Sequence, residues 1–217
     1  MKIAVIGATG FVGKNVVNEL VNRNHHVQGV SRKESTSEKS NLTYTSKDVF
    51  NVDQLSETLK SFDVVVSAYN PGWNNPDIYN EFIKGSQSIQ QAVRLSGVKR
   101  YIVVGGAGSL YIAEGVQVVD SDTFPMPPHV KPGATAARDY LNILKQEKEL
   151  DWVFFSPALE MHAGITIGRT GKYRLGKDNP VFNEEKRSII SPQDVAVVIA
   201  DEIETPKHHQ TRFTAAY

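Results

Sequence analysis

Three glycines at three-residue intervals, Gly7, Gly10 and Gly13, follow the apolar run Lys2-Ile3-Ala4-Val5-Ile6 and overlap the start of Phe11–Asn22, whose spacing predicts a helix. Glycine permits a tight turn and leaves the backbone bare, so an anion can come close, while the first N–H groups of a helix carry partial positive charge. The order strand, glycine turn, helix suits a dinucleotide pyrophosphate and makes Gly7, Ala8, Thr9, Gly10, Phe11, Val12 and Gly13 candidate contacts. At the end of the next apolar run the chain reads Val30-Ser31-Arg32-Lys33, with no carboxylate for a ribose 2′-hydroxyl. The Ser31 hydroxyl and Arg32 cation suit a 2′-phosphate instead, so NADP(H) is expected in preference to NAD(H), which remains the alternative.

The elements that must hold these residues recur along the chain. Short apolar runs at Ile3–Ile6, Val27–Val30, Leu42–Tyr44, Val64–Val66, Tyr101–Val104 and Trp152–Phe155 lack polar alternation, which predicts strands covered on both faces. Between them lie helical patterns: Val16, Val17, Leu20 and Val21; Val52, Leu55 and Leu59; Ile83, Ile89, Val93 and Leu95; Tyr140, Leu141 and Leu144. This alternation implies an α/β, Rossmann-like, doubly wound parallel sheet with helices on both faces, in strand order 3-2-1-4-5-6. Residues 1–217 are expected to form a single NAD(P)-binding domain, with 157–191 plus 205–217 as small C-terminal substrate-site elements within it. Residues 105–133 and 157–191 read as long loops above the ligand edge. Ser191-Pro192 reads as the capped start of a helix running Gln193–Glu204, with Asp194 in its first turn, and Arg212-Phe213-Thr214 as a last short strand.

The spacing G-x-x-G-x-x-G resembles the short-chain dehydrogenases/reductases, particularly their extended and atypical members. The resemblance implies that Asp48-Val49 meets the adenine, although Asp48 could equally cap the helix from Asn51 onward. Ser67-Ala68-Tyr69 would line the path of a ribose across the sheet, with Tyr69 either there or simply packed. Gly105-Gly106-Ala107-Gly108-Ser109 falls where the superfamily places a catalytic serine or threonine, which makes Ser109 a candidate donor to a substrate carbonyl or flavin edge. Most members carry Tyr-x-x-x-Lys inside the helix expected here at Pro132–Lys148, but the matching positions are Lys131 and Thr135. The literal match Tyr173-Arg174-Leu175-Gly176-Lys177 contains a glycine and is not on a predicted helix.

Ser156-Pro157-Ala158, the run Gly168 to Asp178, Ser188-Ile189-Ile190-Ser191 and Arg212-Phe213-Thr214 resemble the bacterial NADH-flavin reductase family of atypical short-chain reductases, similar in outline to biliverdin reductases. The likeness spans nearly the whole chain. It implies NAD(P)H-dependent hydride transfer to a flavin or a small planar quinone or enone acceptor without the usual Tyr/Lys pair, and brings Pro157 to the cofactor. The alternative is a non-catalytic NADP(H)-sensing regulator of NmrA-like type. Epimerases and dehydratases of this superfamily need the missing pair and a larger C-terminal domain.

Arg169 would clamp a flavin phosphate or substrate carboxylate, or else pair with Asp178; His162 is a candidate proton donor, its ordinary pKa lying near neutrality. Trp73 and Tyr79 either stack on an aromatic substrate or cap the core. Adjacent pairs His25-His26 and His208-His209 lack metal-ligand spacing, and no metal is expected. With 24 basic and 24 acidic residues the chain has no net charge and no pull toward nucleic acid. It holds no cysteine, so disulfides, thiolate metal sites and cysteine nucleophiles are excluded. No apolar run reaches the roughly 18 residues of a membrane span. A cytoplasmic monomer or homodimer acting on a small molecule, apart from membranes, is the expectation.

Overall fold

Alternate residues of each apolar run go to opposite faces of one sheet, which explains why the runs carry no polar interruption. Ile3, Val5, Val64, Val66, Val153 and Phe155 join one buried cluster, while Ala4, Ile6, Val65, Trp152 and Phe154 join the other. The computed structural model describes all residues, Met1–Tyr217. In chain order the elements are β1 (Lys2–Ile6), α1 (Gly13–Asn22), β2 (His26–Ser31), β3 (Leu42–Ser46), α2 (Val52–Leu59), β4 (Val64–Ser67), α3 (Ile78–Ser96), β5 (Arg100–Val104), β6 (Tyr111–Ala113), β7 (Val116–Gln117), α4 (Lys131–Leu144), β8 (Asp151–Pro157), β9 (Arg174–Gly176), α5 (Pro192–Glu204) and β10 (Thr211–Ala216).

The main sheet has eight strands in the order β3-β2-β1-β4-β5-β8-β10-β9. Every pairing in it is parallel except β9 on β10. The expected 3-2-1-4-5-6 order is therefore present, with β8 as its sixth strand and β10 beyond it. Helices α1 and α5 cover one face and α2, α3 and α4 the other. This is a doubly wound Rossmann-like fold, and its ligand edge is the one where the parallel strands end.

Several local expectations need correction. The α1 helix is counted from Gly13, two residues after Phe11, because Gly10 N–H bonds Gly7 O at 2.9 Å in the preceding turn. Leu95 is 53% exposed, since two residues beyond Val93 the helix has turned its other side; Phe82, Ile89, Ala92 and Val93 make the buried stripe. Helix α4 begins at Lys131 and stops at Leu144, short of Lys148. Its continuation turns back to β8, with the Glu147 carboxylate accepting Glu149 N–H at 2.7 Å and its carbonyl accepting Trp152 Nε1 at 3.3 Å. The region 105–133 is not all loop: it contains the β6–β7 hairpin and the first turn of α4. The region 157–191 likewise contains β9. At α5 the Ser191 hydroxyl accepts Asp194 N–H at 3.0 Å and Pro192 opens the helix, as the sequence reading expects.

Candidate functional site

The turn between β1 and α1 can be built only from glycine at two of its three positions. Gly7 has φ +77, and a Cβ there would stand 2.5 Å from Ala68 O at the end of β4. A Cβ on Gly13 would stand 2.1 Å from Gly7 O, so helix and strand touch through bare backbone. Gly10 differs: it is exposed, and a Cβ there would meet only Gly7 O, at 3.2 Å. Nothing else within the chain requires a bare backbone there.

The amides of this turn divide in the same way. Gly7 and Ala8 N–H both donate to Val30 O, at 2.9 and 3.3 Å, and Gly10 N–H to Gly7 O. Those of Thr9, Phe11, Val12 and Gly13 have no acceptor within the chain. They are the free donors of a helix N-terminus, gathered at the ends of β1, β2 and β4. The residues present therefore fit a dinucleotide pyrophosphate.

Around this turn the ends of β2, β3 and β4 converge. Ser31 is nearly buried and donates to Lys33 O at 2.6 Å, and Ser46 Oγ donates to Arg32 O at 2.9 Å, fixing the backbone from which the exposed Arg32 projects. Asp48 Oδ1 accepts Phe50 N–H at 3.0 Å, while the cap of α2 is Asn51, whose Oδ1 accepts Gln54 N–H at 3.1 Å. The Val49 side chain is buried in the core, leaving its backbone as the part a ligand could meet. Ser67 is buried and Ala68 half-buried. Tyr69 donates to Glu81 O at 3.2 Å. Burial pushes its hydroxyl up to about 12, with Glu81 and Asp48 adding to the rise and Arg32 opposing it. Those charges thus share one neighbourhood.

On the other side of the edge, Ser109 departs from expectation. It is fully buried, its hydroxyl 2.9 Å from Ser156 Oγ and 3.1 Å from Gly106 O, and its carbonyl accepts Gln117 Nε2 at 2.8 Å and the Arg212 guanidinium. A hydroxyl so enclosed is engaged in holding the loop. Arg212 is the fastener that sequence reasoning missed. It is 5% exposed, pairs with Asp178 and lies 5.4 Å from the Tyr111 ring centroid, joining β10, the β6–β7 hairpin and the segment after β9. Its one sequence trace is a cation in the middle of an otherwise buried strand. Gly105 leaves no room for a side chain, since a Cβ would stand 1.9 Å from the Phe154 ring. Gly106 is not confined in this way, and Pro157 is buried at the end of β8.

Arg169 does not pair with Asp178, which Arg212 occupies. It makes two 2.8 Å bonds to the buried Glu19 of α1. The neighbouring backbone is held by Asp194 of α5, which is fully buried and accepts Thr170 Oγ1 at 2.7 Å, Gly171 N–H at 2.8 Å and Tyr217 OH at 2.6 Å. Burial raises the Asp194 pKa, but the bonds from Tyr217, Thr170 and Gly171 outweigh it and hold the carboxyl below its ordinary value. His162 is exposed on the same segment and accepts Gly164 N–H at Nδ1, 3.1 Å away. Tyr173 is turned away from this edge: its hydroxyl donates to Asp201 of α5 at 2.6 Å, and burial and that bond raise its pKa well above the usual value. In the first turns of α4, Thr135 Oγ1 donates to Lys131 O at 2.8 Å.

A doubly wound sheet with a glycine turn and free helix-terminal amides at its switch point defines a Rossmann-type dinucleotide-binding protein. The model of the NAD(P)H-binding family matches residues 7–206, and the chain belongs to that family. It is 35% identical over 214 residues to the uncharacterized protein YwnB of Bacillus subtilis, a match covering 99% of this chain and 97% of YwnB. Among solved structures it is similar to a "putative epimerase" of Bacteroides thetaiotaomicron, at 44% identity and TM-score 0.90, over 100% of this chain and 96% of that one. It is also similar to a "putative NADH-flavin reductase" of Streptococcus pneumoniae, at 34% identity and TM-score 0.84, over 100% and 99% of the two chains. No helix is long and apolar enough to cross a membrane. Family and fold together support an oxidoreductase using a nicotinamide dinucleotide.

Proposed function

We propose that the protein is an NADPH-dependent reductase of a flavin or a small planar quinone or enone acceptor. The observation that carries the reading is the glycine turn with its unspent amides beside a β2 end that offers Arg32 and no carboxylate. In this reading the amides of Thr9, Phe11, Val12 and Gly13 hold the pyrophosphate, and Arg32 holds the 2′-phosphate beside Ser31. Asp48 and Val49 flank the adenine. Ser67, Ala68 and Tyr69, then Gly105, Gly106 and Pro157, follow the path across the strand ends. When bound, the dinucleotide supplies the hydride; the chain supplies orientation and a surface shielded from water.

The first turns of α4 present Lys131 and Thr135 where alcohol-oxidising relatives need tyrosine and lysine to move a proton. That favours an acceptor whose proton comes from water, and it counts against the epimerase chemistry in the name of the Bacteroides protein. His162, exposed on the 157–191 segment, is the proton donor of this reading, and Arg169 acts through Glu19 as a positioning residue. The C-terminal elements 157–191 and 205–217 form the acceptor side of a single domain, and the protein works in the cytoplasm on a small molecule.

The test is NADPH oxidation with FMN, FAD, riboflavin and a simple quinone in turn, with NADH as the parallel donor. Saturable turnover preferring NADPH is expected. Tight NADPH binding with no turnover of any acceptor would overturn the reductase and favour a sensor.

A further inference from the structure

We propose that the exposed face of Trp73 is the surface on which the planar acceptor stacks, and that residue 133 is glycine in order to seat that ring. The identity of the ligand rests on the reductase reading above; the location rests on packing. Gly133 lies in the first turn of α4, although glycine is a weaker helix former than any residue but proline. A Cβ there would stand 2.9 Å from Cζ3 of Trp73 and 2.8 Å from Cδ1 of Ile78. The helix gives up propensity to let an indole lie against its backbone. The indole is not thereby buried, since Trp73 remains 49% exposed, whereas Trp152, the other tryptophan, is 2% exposed.

The place of this ring is defined from three sides. Trp73 stands on the segment leaving β4 just after Ala68, whose carbonyl abuts Gly7 of the phosphate turn. The same first turn of α4 touches the loop after β5, because a Cβ on Gly108 would lie 3.3 Å from both Cβ and O of Ala134. It also carries Lys131 and Thr135. Trp73 is thus fixed against the helix turn that in relatives supplies proton transfer, between the loops that follow β4 and β5 at the ligand edge. Tyr79, the other exposed aromatic nearby, is committed elsewhere by a 2.8 Å bond from its hydroxyl to Asp139. A flat, apolar, half-open ring suits an acceptor with an extended π-face.

FMN and riboflavin titrated into the protein saturated with NADP+, with tryptophan emission as readout, test this directly. We expect saturable quenching whose amplitude falls in W73F to the part contributed by the remaining Trp152, which a bound flavin reaches by energy transfer although it is buried. In steady state W73A raises the flavin KM about tenfold, the worth of one stacked ring, with kcat and the KM for NADPH changed by less than about twofold. W73F restores most of the KM, which a purely structural role for the indole would not predict. G133V keeps the tryptophan but unseats it and reproduces the W73A defect; its melting curve reports whether it folds. Wild-type protein showing no saturable quenching, or W73A retaining the wild-type flavin KM, overturns the proposal. Quenching without NADPH oxidation would leave Trp73 as the stacking surface and instead remove the reductase.

Discussion

Gly10 and Gly13 are three residues apart in one turn, yet replacing them separates folding from binding. In Gly13→Ala the new Cβ falls 2.1 Å from Gly7 O, more than 1 Å inside an ordinary contact, with backbone on both sides. Helix α1 must move off β1, and overpacking of this kind costs about 1–3 kcal/mol, or a melting point lower by roughly 2–12 °C in a chain of this size. In Gly10→Ala the only close atom is Gly7 O at 3.2 Å, which a shift of a few tenths of an ångström relieves. The loss of stability there should stay under about 1 kcal/mol. The added methyl nevertheless sits at an exposed position in the turn whose Thr9, Phe11 and Val12 amides are free. Holding the pyrophosphate off one such amide forfeits a charge-assisted bond of about 1.5–3 kcal/mol, so NADPH should bind roughly ten- to a hundredfold more weakly. Thermal melts with and without NADPH, together with calorimetric titration, read both quantities. Gly10→Ala binding NADPH like the wild type, or melting as early as Gly13→Ala, would refute the assignment of the turn.

Arg32→Glu should weaken NADPH by at least about tenfold while leaving NADH within about threefold, since only the 2′-phosphate is repelled; equal loss of both cofactors would place Arg32 elsewhere. Ser109→Ala should lower stability by about 1 kcal/mol through the lost Ser156 bond and leave kcat nearly intact, and loss of turnover in a well-folded variant would show that the hydroxyl acts on the substrate after all. Asp194→Asn should loosen the 168–171 segment, read as faster amide exchange at Thr170 and Gly171. The native Asp194 pKa is lowered, so its contribution to stability is full above the unfolded-state value of about 3.9 and fades as pH falls through the native one. Acid melting curves of the wild type and Asp194→Asn should therefore draw together below about pH 4, and parallel curves there would contradict the direction of the shift.

The parallel sheet was legible because its strands are buried on both faces and so carry runs such as Val64-Val65-Val66 that nothing polar interrupts. The Ser191 cap was legible because capping is local, decided within three residues. The glycine turn was legible as a motif, but the difference between Gly10 and Gly13 was not, since it depends on which backbone atoms lie opposite each. Most of what fixes the C-terminal segments 157–191 and 205–217 was illegible for a related reason. Arg169 and Glu19 are 150 positions apart and Arg212 and Ser109 are 103 apart, and no spacing rule connects such residues. Ser109 illustrates the cost: its place after β5 suggested a reactive hydroxyl, and only the proximity of Ser156 and Arg212 shows it enclosed.

The position of β9 has a bearing on how the molecule assembles. Its one partner in the sheet is β10, which comes later in the chain, after α5. Strands β1 to β5, with the phosphate turn among them, are all contained within the first 104 residues and pair among neighbours. During synthesis the dinucleotide half can therefore collapse early. Segment 157–191, by contrast, stays without a sheet to rest on until β10 has slid in beside β8, a distant pairing of the kind that folds slowly. The two ends of the sheet are thus ordered in time as well as in space, with segment 157–191 completed last.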